Sequence, residues 1–453
     1  LDVFNRWYRL LNPLHWRLTT YQMLALSFAA LIVFGALLLM TPFASVRSSS
    51  LSFIDALFTA TSAVCVTGLV VTDTGTYFSF FGQTVILLLI EIGGLGIMTV
   101  ATLLVVITGK RINLRERLLI QEATNQLDLS GVVRLTLYIV KATVLVEFIG
   151  GSILAAHFYQ DLGWQGIYFG YWHAVSAFCN AGFDLFGQFR SITGYVNDFV
   201  VNATIGGLII IGGIGFPVIA DLWNYPVRKH FSLHSKVVIA TSLGLIVTGA
   251  VFIFAAEYTN NSTLGELTLS GKILASFFQS VTARTAGYNT IDTGSLREGT
   301  LLMLIVLMFI GASPSSMGGG IKTSTFAVLT SAIISSVTGK KDPVIFLRKV
   351  SQLTVYKAFT VVMISLMLVT GVSLVMTFTE QVPFIRILFE VVSAFGTVGL
   401  STGITPTLSE TGKALIILTM FSGRVGTITL LMALALRPHK AAIKYPEGKF
   451  IIG

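Results

Sequence analysis

The chain has 453 residues, of which 54% are apolar and only 11% charged, and its mean hydropathy is +0.81. A soluble domain cannot hide so much apolar surface behind so few charges, and continuous apolar runs such as 85–104 lack the alternation of membrane-barrel strands. The net charge of +9 is gathered in short segments that follow apolar runs, which argues against nucleic-acid binding and for a multi-pass helical membrane protein.

The opening LDVFNRWYRLLNPLHWR is basic and aromatic, and no signal-peptide pattern is expected there. Long spans are expected at 21–41, 132–157, 236–257 and 353–378. Each precedes a shorter apolar segment: FIDALFTAT, GIYFGYWHA, KILASFFQS or FIRILFEVV. Such segments of about 10–14 residues reach about 15–21 Å as helices, too little to cross about 30 Å of hydrocarbon. Each ends in a glycine-centred knot: VCVTGLVV at Gly68, VSAFCNAGFDLF at Gly182, VTARTAGYNTID at Gly287 and VSAFGTVGLSTG at Gly399. These glycines recur roughly every hundred residues, a repeat period. Another long span then carries a small-residue cluster: IGGLG, IGGIG, MGGGIKTS or SGRVG.

The expected fold is an all-α polytopic membrane protein of four parallel helix–pore helix–helix repeats, with eight spanning helices around a pseudo-fourfold pore. The repeats fall at 21–110, 131–225, 236–338 and 352–437, between a cytoplasmic N-terminus (1–20) and a cytoplasmic tail (438–453). The basic stretches KRINLRER, PVRKH, GKKDPVIFLRK and RPHKAAIKYPEGK mark the cytoplasmic returns. Cys65 and Cys179 form no disulfide framework and are expected to be small buried residues.

Irregular backbone at membrane depth is tolerated only where it is buried in protein or lines a watery path. A half-way helix entering from outside aims its partly negative C-terminus at the membrane centre, which favours a cation there. Glycine permits left-handed torsions that let successive carbonyls face one axis and replace a cation's water. The expected ion-binding positions are Val66, Thr67 and Gly68; Asn180, Ala181 and Gly182; Thr285, Ala286 and Gly287; and Thr397, Val398 and Gly399. No carboxylate ring accompanies them, which suits a monovalent ion. IGGLG and IGGIG are read as packing glycines of the long helices.

The four knots VTGL, NAGF, TAGY and TVGL, with their flanks, resemble the Trk/Ktr/HKT superfamily of potassium transporters. The resemblance covers nearly the whole chain. It is nearest to the bacterial Ktr membrane subunits, since the chain begins almost directly with the first unit and all four glycines are present. It implies a potassium-channel-like selectivity filter, K+ uptake often stimulated by Na+, and a bacterial plasma-membrane location. It also implies a homodimer on a cytosolic ring of nucleotide-binding regulatory subunits. The chain itself carries no nucleotide-binding fingerprint, and no organic cofactor is expected.

The third repeat departs from its siblings. Pro314 breaks helical hydrogen bonding, and Gly318, Gly319 and Gly320 disfavour its recovery. Family members place an intramembrane gate here. The gate is expected over 311–325, from Gly311, Ala312, Ser313, Pro314, Ser315, Ser316 and Met317 through the glycines to Lys322 and Thr323. Lys322 could instead snorkel toward the cytoplasm. Arg424, in FSGRVGT, must face protein or water, and the resemblance makes it a positive barrier beside the loop; the alternative is a structural pairing with Glu91 or a helix end. Asp73, Asp184 and Asp292 follow three knots on the outer side, either concentrating cations or closing turns. His157 and His173 are read as ordinary interface residues, and Lys141 and Glu147 as contacts to other helices. Two rival functions remain at this level: an alternating-access cation transporter, which parallel repeats disfavour, and a membrane enzyme, for which no catalytic cluster is evident.

Overall fold

The computed structural model describes residues 19–47, 50–107 and 132–434. The basic stretches 110–117 and 437–449, the N-terminus and the tail lie outside them.

Four long helices begin the four units: α1 (Thr20–Leu39) and, further along, α5 (Val132–Leu162), α9 (Leu233–Glu257) and α13 (Gln352–Thr379). Their 20 to 31 residues are long and apolar enough to cross a bilayer. Hydroxyl side chains set three of the starts: Thr19 in a capping box, Ser232 and Ser351, each accepting a first-turn N–H. Their outer faces are apolar and exposed, as at Phe34, Phe148, Val251 and Met367, which is the surface lipid covers.

A short helix follows each: α2 (Phe53–Val64), α6 (Trp164–Phe178), α10 (Leu269–Thr282) and α14 (Phe384–Gly396), of 12 to 15 residues. At 1.5 Å per residue they reach only about 18–23 Å. Their C-terminal halves are mostly buried, with Phe277 of α10 an exposed exception. The outgoing helices are α3 (Phe80–Leu95), α7 (Phe199–Ile214), α11 (Glu298–Phe309) and α15 (Glu410–Val425).

None of the outgoing helices is continuous, whereas the sequence led to the expectation of a break in the third unit alone. Gly96, Gly215 and Gly426, with φ of 83°, 95° and 94°, separate α3, α7 and α15 from α4 (Ile97–Ile107), α8 (Phe216–Arg228) and α16 (Thr427–Leu434). At Gly215 the axis turns by 99°. In the third unit a loop through residues 311–322 separates α11 from α12 (Thr323–Val337). Thr323–Thr325 therefore open a helix rather than extend the loop, with Lys322 at the N-cap. A two-residue hairpin, β1 (Val344–Ile345) and β2 (Arg348–Lys349), joins the third and fourth units.

The units close on one another. Each long helix packs on the short helix of its own unit, α1 on α2, α5 on α6, α9 on α10 and α13 on α14. Each outgoing helix also packs on the short helix of the next unit: α3 on α6, α7 on α10, α11 on α14, and α15 back on α2. That last contact makes the arrangement a ring.

Close approach explains the glycine clusters. A Cβ at Gly93, Gly212 or Gly423 would run into the carbonyl oxygen of Val64, Phe178 or Phe395, at or near the end of the short helix in the same unit. These are the packing glycines expected in IGGLG and IGGIG, and SGRVG shares the role. Gly212→Ala is expected to destabilise the protein by about 1–3 kcal/mol through overpacking. Thermal unfolding in detergent should show a lower midpoint, while Gly207→Ala, with nothing within 4 Å of the added carbon, should leave it unchanged.

Candidate functional site

The four knots meet at the centre of the ring. Gly68, Gly182, Gly287 and Gly399 hold φ of 89°, 69°, 83° and 90°. The residues two before them, Val66, Asn180, Thr285 and Thr397, also have positive φ, at 57°, 59°, 80° and 49°. Positive φ is strained for β-branched residues, costing about 1–3 kcal/mol each, and persists only where the surroundings impose it. Three of these four residues are β-branched, so the same strained alternation is built four times. The residues between, Thr67, Ala181, Ala286 and Val398, keep negative φ.

Each glycine touches the next unit in a fixed sense. A Cβ on Gly68 would run into the carbonyl of Ala181, on Gly182 into that of Ala286, on Gly287 into that of Val398, and on Gly399 into that of Thr67. All four approaches fall under 3.0 Å, closer than real Cβ atoms come, so only glycine fits and the contacts close a circle.

The middle amide of each knot bonds back to its own short helix. Thr67 N donates to Ser62 O at 2.7 Å, Ala181 N to Ser176 O at 2.7 Å, Ala286 N to Thr282 O at 2.9 Å and Val398 N to Ser393 O at 2.8 Å. Gly68 N and Gly399 N donate to the hydroxyls of Ser62 and Ser393 at 3.0 and 3.1 Å. The hydroxyls of Ser176 and Thr282 instead donate to Phe183 O and Tyr288 O, just past the knot. Sequence reasoning missed this hydroxyl set. Its signal was present as a serine six residues before three of the glycines and a threonine five before the fourth.

The loop of the third unit sits directly against the knots. A Cβ on Gly318 would collide with Thr285 Oγ1, and one on Gly319 would lie 2.5 Å from Thr397 Oγ1. Gly319 N donates to Thr397 Oγ1 at 2.9 Å. Ser313 N and Met317 N donate to Gly213 O and Gly212 O, each at 3.1 Å, and Phe216 N to Ser315 O at 2.9 Å. Ala312 N reaches Gly319 O at 3.3 Å, so the loop's two ends already meet. Thr323 Oγ1 donates to Ser313 Oγ at 3.1 Å. Lys322 folds back, with Nζ donating to Gly318 O at 2.7 Å.

Arg424 ties the loop to the first unit. Its guanidinium donates to Met317 O in the loop and to Gly93 O and Gly94 O at the end of α3, the last at 3.0 Å. An arginine at membrane depth costs roughly 2.5–3.5 kcal/mol on insertion scales, and each hydrogen bond to a charged group returns about 1.5–3 kcal/mol. Three carbonyls therefore suffice to hold it. Of the two structural pairings considered for it, the helix end rather than Glu91 is the partner. A cavity of about 380 Å³ lies against the loop, lined by Gly96, Ser315, Lys322, Arg424 and Gly426 among others.

Other candidates have structural partners. Asp73 accepts Thr76 N and Phe189 N at 2.8 and 2.7 Å, Asp184 accepts Phe186 N at 3.0 Å, and Asp292 accepts Gly294 N at 3.1 Å. His157 pairs with Asp198 at 2.7 Å. His173, read from sequence as an interface residue, is fully buried and accepts Leu185 N at 3.3 Å, behind the second knot. Glu147 faces other helices, meeting Cys179 Sγ at 3.9 Å, with the Glu91 carboxylate beside it, 3.3 Å from the same sulfur. Cys65 and Cys179 are both free and buried.

A ring of four helical units, each with a long apolar helix and a broken outgoing helix, defines a multi-pass helical membrane protein. The TrkH family, described as a cation transport protein, matches residues 15–445 of the chain. The chain belongs to that family, and so is a transporter rather than an enzyme. It is 45% identical to the Ktr system potassium uptake protein B of Bacillus subtilis over 96% of this chain and 97% of that one. It is 42% identical to the protein of the same name from Vibrio alginolyticus, over 95% and 94% of the two chains. It is 40% identical to the potassium/sodium uptake protein NtpJ of Enterococcus hirae, over 96% and 98%. The crystal structure of the potassium transporter TrkH from Vibrio parahaemolyticus has the same fold, with a TM-score of 0.72 at 16% identity over 93% of this chain and 86% of that one.

Proposed function

We propose that this chain is the ion-translocating subunit of a bacterial K+ uptake system, with the four knots as its selectivity filter. The circle of glycine-to-carbonyl contacts carries the reading. With the middle amides bonded back to the short helices, the carbonyls of Val66–Gly68, Asn180–Gly182, Thr285–Gly287 and Thr397–Gly399 are left to coordinate a dehydrated monovalent cation. The names of the relatives in Bacillus subtilis and Vibrio alginolyticus support potassium, and that of the Enterococcus hirae relative supports a role for sodium. The four units, at 21–110, 131–225, 236–338 and 352–437, supply eight passages across the cell membrane, with both termini in the cytoplasm.

The loop over 311–322 is the gate, with Arg424 as its latch and positive barrier. Its control falls to a partner, a cytosolic nucleotide-binding ring subunit, beneath a homodimer of this chain. Expression in a bacterium lacking potassium uptake, with and without such a subunit, tests the whole reading. Growth at low K+ is the expected result, and no growth despite membrane insertion in both strains would overturn it. Arg424→Ala should raise Rb+ flux in proteoliposomes several-fold, because losing bonds of about 1.5–3 kcal/mol each frees Met317 from α3. Unchanged flux in folded protein would remove Arg424 from the gate.

A further inference from the structure

The third knot differs from the others at one place. Three residues before the glycine, the other units carry Cys65, Cys179 and Gly396, whereas this unit carries Arg284. Arg284 is only 8% exposed, and its Nε has no hydrogen-bond partner among the described residues. It lines a cavity of about 20 Å³ between α7, α9 and α10, with Ile209, Ile210, Ile214, Ile246 and Ser242. Ser242 is 7% exposed, and its hydroxyl is likewise without a partner. Among the described residues, no carboxylate lines this cavity.

A guanidinium does not lose its proton in proteins, so the buried charge is permanent. The C-terminal end of α10 offsets part of it. The wall offers a charged donor and a hydroxyl amid aliphatic side chains. A water molecule there would accept from both, and apart from the Ser242 hydroxyl the lining side chains offer its hydrogens no acceptor. An anion needs donors only, and the cavity has about 20 Å³ beside Arg284 and Ser242.

We propose that this cavity binds a small monovalent anion of halide size, held by Arg284 and Ser242, which neutralises the charge behind Thr285. The anion would keep the third quarter of the ring electrically like the other three. The proposal is independent of the transport reading, because binding is measured without flux.

Crystals of the full-length protein grown in sodium bromide should show an anomalous peak in the cavity beside Arg284. In detergent, ³⁵Cl resonance broadening by the purified protein should contain a saturable component. Ser242→Ala should weaken it about tenfold, the worth of one hydrogen bond to a charged group. Arg284→Gln should abolish it. Should Arg284→Gln fail to fold, the bromide peak and Ser242→Ala decide. A cavity holding only ordered water, or broadening unchanged by Ser242→Ala, would overturn the proposal.

Discussion

Gly68→Ser is expected to reduce the discrimination of K+ over Na+ by at least about tenfold, or ~1.4 kcal/mol. The backbone at Gly68 has φ of 89°, where a side chain costs roughly 1–2 kcal/mol from sterics alone. Its Cβ would also press on the Ala181 carbonyl, one of the groups proposed to face the ion. The strain has no soft outlet, because the opposing atoms are backbone and are held by the Ala181 N bond to Ser176 O. The ring would open or tilt at one quarter, and a fixed cage of carbonyls would give way to a looser one. Competition between Rb+ and Na+ uptake in proteoliposomes measures this. Gly403→Ser is the control: it has the same φ of 90° but nothing within 4 Å, so it carries the backbone strain without the collision. Unchanged selectivity in folded Gly68→Ser protein would sink the filter assignment.

Deleting 313–318 is expected to raise flux in the absence of any regulatory subunit by about tenfold or more, a shift of ~1.4 kcal/mol or more in the closed–open balance. The deletion is geometrically mild. Ala312 and Gly319 are already hydrogen-bonded at 3.3 Å, so the residues between them form a lobe that can be removed near its neck. It removes the contacts of Ser313 and Met317 with α7, of Gly318 with Thr285, and of Met317 with Arg424. What remains beneath the knots is the 380 Å³ cavity opened toward them. The measurement is Rb+ uptake into proteoliposomes of the purified deletion protein beside the parent chain. Loss of flux in protein that elutes and unfolds normally would show that the loop supports the path instead of closing it.

Much of the architecture was legible in the chain. Four long apolar runs, four short ones and four glycine knots recur in a fixed order, and bilayer thickness separates long from short by length alone. The glycines stood out because the same residue returns at matched positions, where packing by chance would scatter it. The breaks in the outgoing helices were legible only in the third unit, where Pro314 and three glycines interrupt the run. Gly96, Gly215 and Gly426 do the same in the others as single residues. One glycine in an apolar helix carries too little local signal to distinguish a packing contact from a turn.

The sequence alone determined that this is a fourfold-repeated membrane protein, because hydrophobic length and repeat period are local properties of the chain. Only the tertiary structure decided that α15 returns to α2 and closes the ring, that each glycine meets the carbonyl of the next unit, and that Arg424 reaches Gly93 and Gly94 across more than three hundred residues. Those contacts join distant segments by close approach of backbone atoms. Backbone has the same chemistry at every residue, so sequence marks such meetings only where a side chain must be absent.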